Sequence, residues 1–258
     1  VTKTKWSKQE VVTGFSFPIE TIFFIDETTG FVGGHSGIFK TIDGGETWNK
    51  LKALPETHVF EIFFIDLNNG FVATTGGLMK TTDGGKTWDL TSFQHPLTSV
   101  FFISPTAGFI GSSSDPGDLS SIKLYRTTDG GTNWNVVLSE NNLDGVRDIR
   151  FINTTTGYAR MGGHIIKTVD SGVNWEHSFS NADPSGTSYG ISSLAIDNSV
   201  LYAVLWIPNE DTFFGAIWKS ENGVSWNSAG PGPVTSIAFS PSGNVGFAVG
   251  SARGTPPN

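Results

Sequence analysis

Five times the chain sets a carboxylate or an amide beside glycine and closes on tryptophan. The copies are TIDGGETW (41–48), TTDGGKTW (81–88), TTDGGTNW (127–134), TVDSGVNW (168–175) and the worn SENGVSW (220–226). Acids can serve two chemistries. A pair of carboxylates at the right separation hydrolyses a glycosidic bond. A carboxylate in a tight turn instead accepts the backbone N–H groups around it. Spacing favours the second use. Asp43, Asp83, Asp129 and Asp170 recur once per repeat, so they are spread along the whole chain and do not converge on one site. Gly45, Gly85, Gly131 and Gly172 can supply the positive φ that such turns need, and Trp48, Trp88, Trp134 and Trp175 can wedge beneath the hairpins. The fifth copy offers Glu221 or Asn222 at the Asp place, depending on where the gap is set.

Other residues are better placed for ligand chemistry. One polar residue stands near the start of each apolar first strand: Thr21, Glu61, Ser99, Asp148, Ser192 and Thr235. They predict a polar collar, which either wets a channel or forms a ligand funnel with Glu61 and Asp148 as its acids. Arg147 and Arg160 are expected on the same face and suit an anionic group. Aromatic residues flank two insertions, with Tyr189 in one and Trp206, Phe213 and Phe214 around the other; exposed aromatics mark sugar platforms or protein docking patches. His35 and His164 fall in loops of this face, as do His58 and His95. No metal site is expected, because His35 and His164 hold matching places in blades one and four, too far apart to share an ion.

The elements that must position these residues repeat. Trp6, Trp48, Trp88, Trp134, Trp175 and Trp226 are spaced by 42, 40, 46, 41 and 51 residues, a period that means one supersecondary unit used in tandem. Each unit opens on an apolar run (IFFID at 22–26 and 62–66, VFFIS at 100–104, IRFIN at 149–153, LAID at 194–197, IAFS at 237–240) and continues with three further short strand patterns between Gly, Asp and Asn turns. Four such strands make an antiparallel meander, and meanders repeated radially make a β-propeller. The expected fold is all-β, a single propeller domain over 1–258 with six, or in a longer chain seven, four-stranded blades. They lie near 20–52, 60–91, 98–138, 147–178, 190–228 and 233–258. The last is completed by a strand from 4–12, which closes the ring.

Loop lengths separate two faces. The Asp turns are short and uniform, whereas the insertions at 111–121, 181–190 and 207–215 all fall on the opposite face. Long, variable loops on a rigid scaffold are where function concentrates.

Composition narrows the partners. The chain of 258 residues has 32 Gly, 20 Phe, 8 Trp and no Cys, with a formal net charge of −8. Without a Lys/Arg run, nucleic acid is not an expected partner; without a long apolar stretch, neither is insertion in a membrane. Absent cysteine excludes thiolate metal sites and Cys nucleophiles, and no dinucleotide or phosphate-loop motif is found, so no cofactor is expected.

The T-x-D-G-G-x-T-W copies resemble the Asp-box, or BNR, repeat. The wording FFID-x-x-x-GFVGG-x-x-G-I-F-K-T-x-DGG-x-TW is most similar to the photosystem II stability/assembly factor family and its bacterial relatives. That resemblance implies peripheral, structural Asp boxes and a non-catalytic binding or assembly propeller whose long-loop face recognises a protein or a glycan. Absent cysteine fits a secreted, periplasmic or cell-surface location, and the chain is also expected to be part of a larger multidomain protein. The alternative is a glycoside hydrolase, sialidase-like or another Asp-box carbohydrate-active enzyme. Against the sialidase version, Arg147, Arg150 and Arg160 all lie in one repeat, whereas that family's arginine triad draws on several.

Overall fold

The computed structural model describes residues 19–51, 57–113, 122–141, 145–180, 190–197, 199–208, 213–230, 234–239 and 246–249. Every regular element among them is a strand. The first repeat folds as β1 (Ile19–Phe24), β2 (Gly30–Gly34), β3 (Gly37–Thr41) and β4 (Asn49–Lys50), and the second as β5 (Val59–Phe64), β6 (Gly70–Thr74), β7 (Gly77–Thr81) and β8 (Asp89–Leu90). The third has β9 (Leu97–Phe102), β10 (Gly108–Ser112), β11 (Ile122–Thr127) and β12 (Asn135–Glu140). The fourth has β13 (Val146–Phe151), β14 (Gly157–Met161), β15 (His164–Thr168) and β16 (Glu176–Ser180), and the fifth β17 (Gly190–Asp197), β18 (Val200–Pro208), β19 (Phe213–Ser220) and β20 (Asn227–Gly230). The sixth contributes β21 (Ser236–Phe239) and β22 (Gly246–Val249).

These strands make five four-stranded sheets, each in chain order, and one two-stranded sheet. The all-β blade architecture is as the sequence predicts, but the blade count is corrected from six or seven to five. Among the described residues the sixth repeat pairs only β21 with β22. The residues after Val249, which in sequence are poor in strand character, lie outside the described residues. The expected closing strand at 4–12 lies outside the described residues. No helix among them is long and apolar enough to cross a membrane.

The chain divides into two compact units, Val1–Ser104 and Pro105–Asn258. In the first, Phe31, Ile38, Val59, Ile62, Phe64, Val72, Met79 and Trp88 form one buried cluster. Phe31 stacks on Phe64 at 4.9 Å, and Trp88 meets both rings edge-on. The second unit repeats the device: Phe109 stacks on Phe151 at 5.1 Å, with Trp175 edge-on to both. Offset and edge contacts of this kind add to the burial of each ring. One sheet's second strand thus packs against the next sheet's first strand and box tryptophan.

Candidate functional site

Strand register gives every blade two ends. In the first sheet Phe24 pairs with Gly30, and Gly30 with Thr41, so the β1–β2 turn and the Asp43 turn share one end. Ile19 pairs with Gly34 at the other, beside the β2–β3 turn.

At the Asp end the carboxylates are engaged by their own turns. Asp43 Oδ1 accepts the Thr41 hydroxyl at 2.7 Å and the Thr47 N–H at 2.9 Å, while Oδ2 accepts the Thr47 hydroxyl. Thr41 Oγ1 accepts the Gly45 N–H at 2.9 Å. Asp83, Asp129 and Asp170 repeat the pattern, with Asn133 and Asn174 side chains replacing the second threonine in the last two. Hydrogen bonds that favour the ionised form lower a pKa. The Thr47 hydroxyl and N–H bring Asp43 to about 2, and the Asn133 and Asn174 backbone N–H groups, with their side chains, do the same for Asp129 and Asp170. Asp83 is lowered as well, first by the Thr87 hydroxyl. The fifth box uses Asn222, not Glu221: its Oδ1 accepts the N–H groups of Val224 and Ser225, both at 2.8 Å.

The boxes also join sheets. A Cβ on Gly85 would stand 2.5 Å from the Phe31 ring, one on Gly172 2.2 Å from Phe109, and one on Gly223 2.3 Å from Tyr158. Each glycine is therefore the seat for an aromatic residue of the preceding blade. Cations add a second tie: Lys40 Nζ donates to the Gly84 carbonyl at 2.8 Å, Arg126 Nε to Ser171 at 3.0 Å, and Lys167 Nζ to Asn222 at 2.9 Å. Asp170 borders a groove of about 580 Å³ lined also by Lys167, Asn174, His177 and Val224. Its oxygens remain committed to the turn.

The opposite end holds the residues expected to bind ligand. Several collar residues stitch neighbouring first strands: Thr21 Oγ1 accepts the Ile62 N–H at 3.3 Å, Glu61 Oε2 accepts the Val100 N–H at 3.0 Å, and Ser192 Oγ donates to the Thr235 carbonyl at 2.9 Å. Asp148, at φ 52°, accepts Arg160 Nε at 3.0 Å, and Arg147 pairs opposite Arg160 in the ladder. Glu61 belongs to the first unit and Asp148 to the second.

His164 opens β15, with its ring edge-on to His177 at 5.1 Å; His177 Nε2 lies 2.7 Å from Glu140. Burial, and then the neighbouring His177, lowers the His164 pKa. The expected insertion at 207–215 is largely strand: Trp206 pairs with Gly215, Ile207 with Phe214 and Pro208 with Phe213. β-branched and aromatic residues extend the hairpin and shorten the loop to 209–212. That connection, 114–121 and 181–189 with Tyr189 lie outside the described residues, as do the side chains of Trp206, Phe213 and Phe214. Register nevertheless brings the strand ends that bound all three to the end opposite the Asp turns.

His35, in the β2–β3 turn, meets two residues that the spacing does not single out together. Its ring lies 3.6 Å from that of His58, and its Nδ1 3.7 Å from Glu20 Oε1; His58 Nε2 lies 2.8 Å from the same oxygen. Matching His35 with His164 by repeat position misses this group. The available signal is a β-bulge: β1 slips register between Ile19 and Thr21, and β5 between Val59 and Glu61. A bulge re-aims the residue within it, here Glu20 and Phe60.

Tandem four-stranded sheets tied by these turns define the class: an Asp-box β-propeller. The family model of the Photosynthesis system II assembly factor YCF48 matches residues 1–142 and, overlapping, 50–254, and the chain belongs to that family. No curated protein matches the chain. Among solved structures, YCF48 bound to a D1 peptide is similar at 17% identity, covering 90% of each chain with a TM-score of 0.58. An ancestral GH74 enzyme is similar at 18% identity and a TM-score of 0.70, covering 92% of this chain but only 35% of its own. The β-propeller domain of Myceliophteria thermophila Cps50 (Swd1) matches at 11% identity and 0.63, covering 92% and 81%. At these identities the likeness is one of fold.

Proposed function

We propose that the chain is a non-catalytic, protein-binding assembly propeller that takes an extended segment of its partner at the end opposite the Asp turns. The observation that carries this reading is the YCF48 family match, together with the YCF48 structure that holds a peptide and shares 90% of its length with this chain. The geometry agrees with it. Box carboxylates are occupied by their own turns, and the strand ends that bound the three sequence insertions lie at the other end of their blades. An extended peptide there can use ladder-type hydrogen bonds with side-chain pockets for selectivity. The same reading extends to a glycan ligand and to a secreted, periplasmic or surface setting.

Titrating a fluorescent D1 peptide, and then peptides enriched from a displayed library, into the chain tests the proposal. Saturable binding is expected, weakened when the β18–β19 hairpin carries Trp206→Ala and Phe214→Ala, and kept in Asp43→Asn. Failure of every peptide to bind, or loss only in Asp43→Asn, would sink it.

The second reading, a glycoside hydrolase, draws on the GH74 likeness, although the chain spans about a third of that enzyme. Two carboxylates must face one bond for that chemistry, and Glu61 is engaged by the Val100 N–H. Release of reducing ends from a polysaccharide panel, abolished by Glu61→Gln, would establish the enzyme instead.

A further inference from the structure

We propose that Glu20, His35 and His58 form a binding site for a divalent transition-metal ion, with Zn²⁺ the best match. One ligand atom from each residue lies within 4.8 Å of the others. Two imidazole nitrogens and one carboxylate oxygen are a donor set that zinc takes, with bonds of about 2.0–2.2 Å. Tetrahedral geometry on such bonds sets neighbouring ligand atoms about 3.3 Å apart. The 2.8 Å from His58 Nε2 to Glu20 Oε1 and the 3.7 Å from His35 Nδ1 to the same oxygen bracket that value. An ion would be admitted once the His35 ring, now 3.6 Å from that of His58, swings outward from its exposed turn so that both nitrogens face the same point.

An ordinary His–Glu ion pair does not account for the arrangement. His58 Nε2 is close to the carboxylate yet off the line a hydrogen bond needs, and it is buried without a hydrogen-bond partner. A buried polar atom of this kind calls for an explanation. A metal ion supplies one, because it takes the nitrogen lone pair and does not require a donor aligned with the acceptor.

The support is pre-built. His58 is fixed by its main chain, its N–H donating to Thr75 Oγ1 at 3.2 Å and its carbonyl accepting the Thr75 N–H at 3.0 Å. Phe60 packs on its ring at 4.0 Å. Glu20 is turned by the bulge in β1, and His35 is offered from a tight turn with half of its side chain exposed. Three protein ligands with one solvent-facing side leave a fourth position open, as in zinc sites that bind water or an incoming group.

The test uses the full chain without a polyhistidine tag, stripped with EDTA and titrated with Zn²⁺ alone by calorimetry, then with Co²⁺ by visible absorption. One Zn²⁺ per chain is expected, with a Co²⁺ band of four- or five-coordinate intensity. Glu20→Gln, His35→Ala and His58→Ala should each weaken Zn²⁺ binding by at least about tenfold, and His177→Ala should leave it unchanged. Thermal unfolding without metal separates ligand loss from misfolding; His35→Ala, in an exposed turn, should melt with the parent and still lose the ion. No Zn²⁺ uptake, undiminished uptake by the His35→Ala/His58→Ala double variant, or loss on His177→Ala in place of these, would overturn the site.

Discussion

The two ends of each sheet handle carboxylates differently. At the Asp end, Asp43, Asp83, Asp129 and Asp170 bond only within four residues of themselves in sequence. At the other end Glu61 reaches Val100, 39 residues on, and Glu20 meets His58 on the neighbouring blade. A local bond can be copied with the motif that contains it, so it appears in every repeat. The two distant carboxylate contacts at the other end differ from each other in partner, a backbone N–H for Glu61 and an imidazole for Glu20. Repetition of the box carboxylates therefore marks construction, whereas the carboxylates at the proposed ligand-binding end are not copied from repeat to repeat.

The comparison breaks first if the box end tolerates truncation. Trp88 is buried and touches Phe31 and Phe64 edge-on; Trp88→Ala should cost about 3–5 kcal/mol in denaturant unfolding. A loss near zero would deny the boxes their structural role. Gly172→Ala comes next, because the new methyl would stand 2.2 Å from Phe109 on a backbone at φ +76°. Left-handed strain and overpacking together should cost about 2–4 kcal/mol. Gly44→Ala supplies the control. Its φ is +74°, but the nearest atom is the Glu27 carbonyl oxygen at 3.3 Å, so about 1–2 kcal/mol of strain is expected alone. Equal losses at the two positions would show that backbone strain, not the seating of a neighbour's ring, sets the requirement for glycine.

Acid should separate the two ends as well. Hydrogen bonds within the turns lower Asp43, Asp129 and Asp170 to about 2 in the folded chain, and lower Asp83 as well, against about 3.9 when unfolded. A depressed folded pKa gives stability that is fully present above the unfolded value and is lost as pH falls toward the folded one. The melting temperature should accordingly drop between about pH 4 and pH 2. Asp170→Asn should flatten part of that drop, because it removes one titrating group while leaving an acceptor oxygen in the turn. An unchanged profile in a variant with all four aspartates replaced by asparagine would show that these carboxylates do not control acid stability.

What the sequence reveals follows the same division. The boxes are legible from T-x-D-G-G-x-T-W because donors and acceptor lie within one turn, and the strand order follows from apolar runs and glycine turns. The seat that Gly85 gives Phe31 is not legible, since it joins residues 54 positions apart in neighbouring blades. The polar first-strand residues are found by matching the repeats, but their hydrogen bonding between strands is not: the bond from the Val100 N–H to Glu61 cannot be read from the sequence. Glu20 escapes notice because a bulge breaks the two-residue alternation on which a strand reading relies. The blade count is overread because β21 and β22 carry good strand patterns and yet pair only with each other among the described residues.

The smallest expected effect tests whether charge or shape makes the box. Asn222 already does for the fifth turn what an aspartate does for the others, accepting two backbone N–H groups at 2.8 Å and the Ser220 hydroxyl at 3.1 Å. Asn222→Asp preserves that oxygen and adds charge. Charged acceptors make stronger hydrogen bonds, but this turn is exposed, so solvent screens most of the gain. Glu221 next to it adds repulsion. The net change at neutral pH should stay within about 0.5 kcal/mol. The variant should nevertheless acquire the acid sensitivity of the other boxes, with stability falling below about pH 4 where the parent's fifth turn contributes none. A gain well above that limit at neutral pH would mean that the carboxylate charge, and not the acceptor geometry of the turn, holds these blades together.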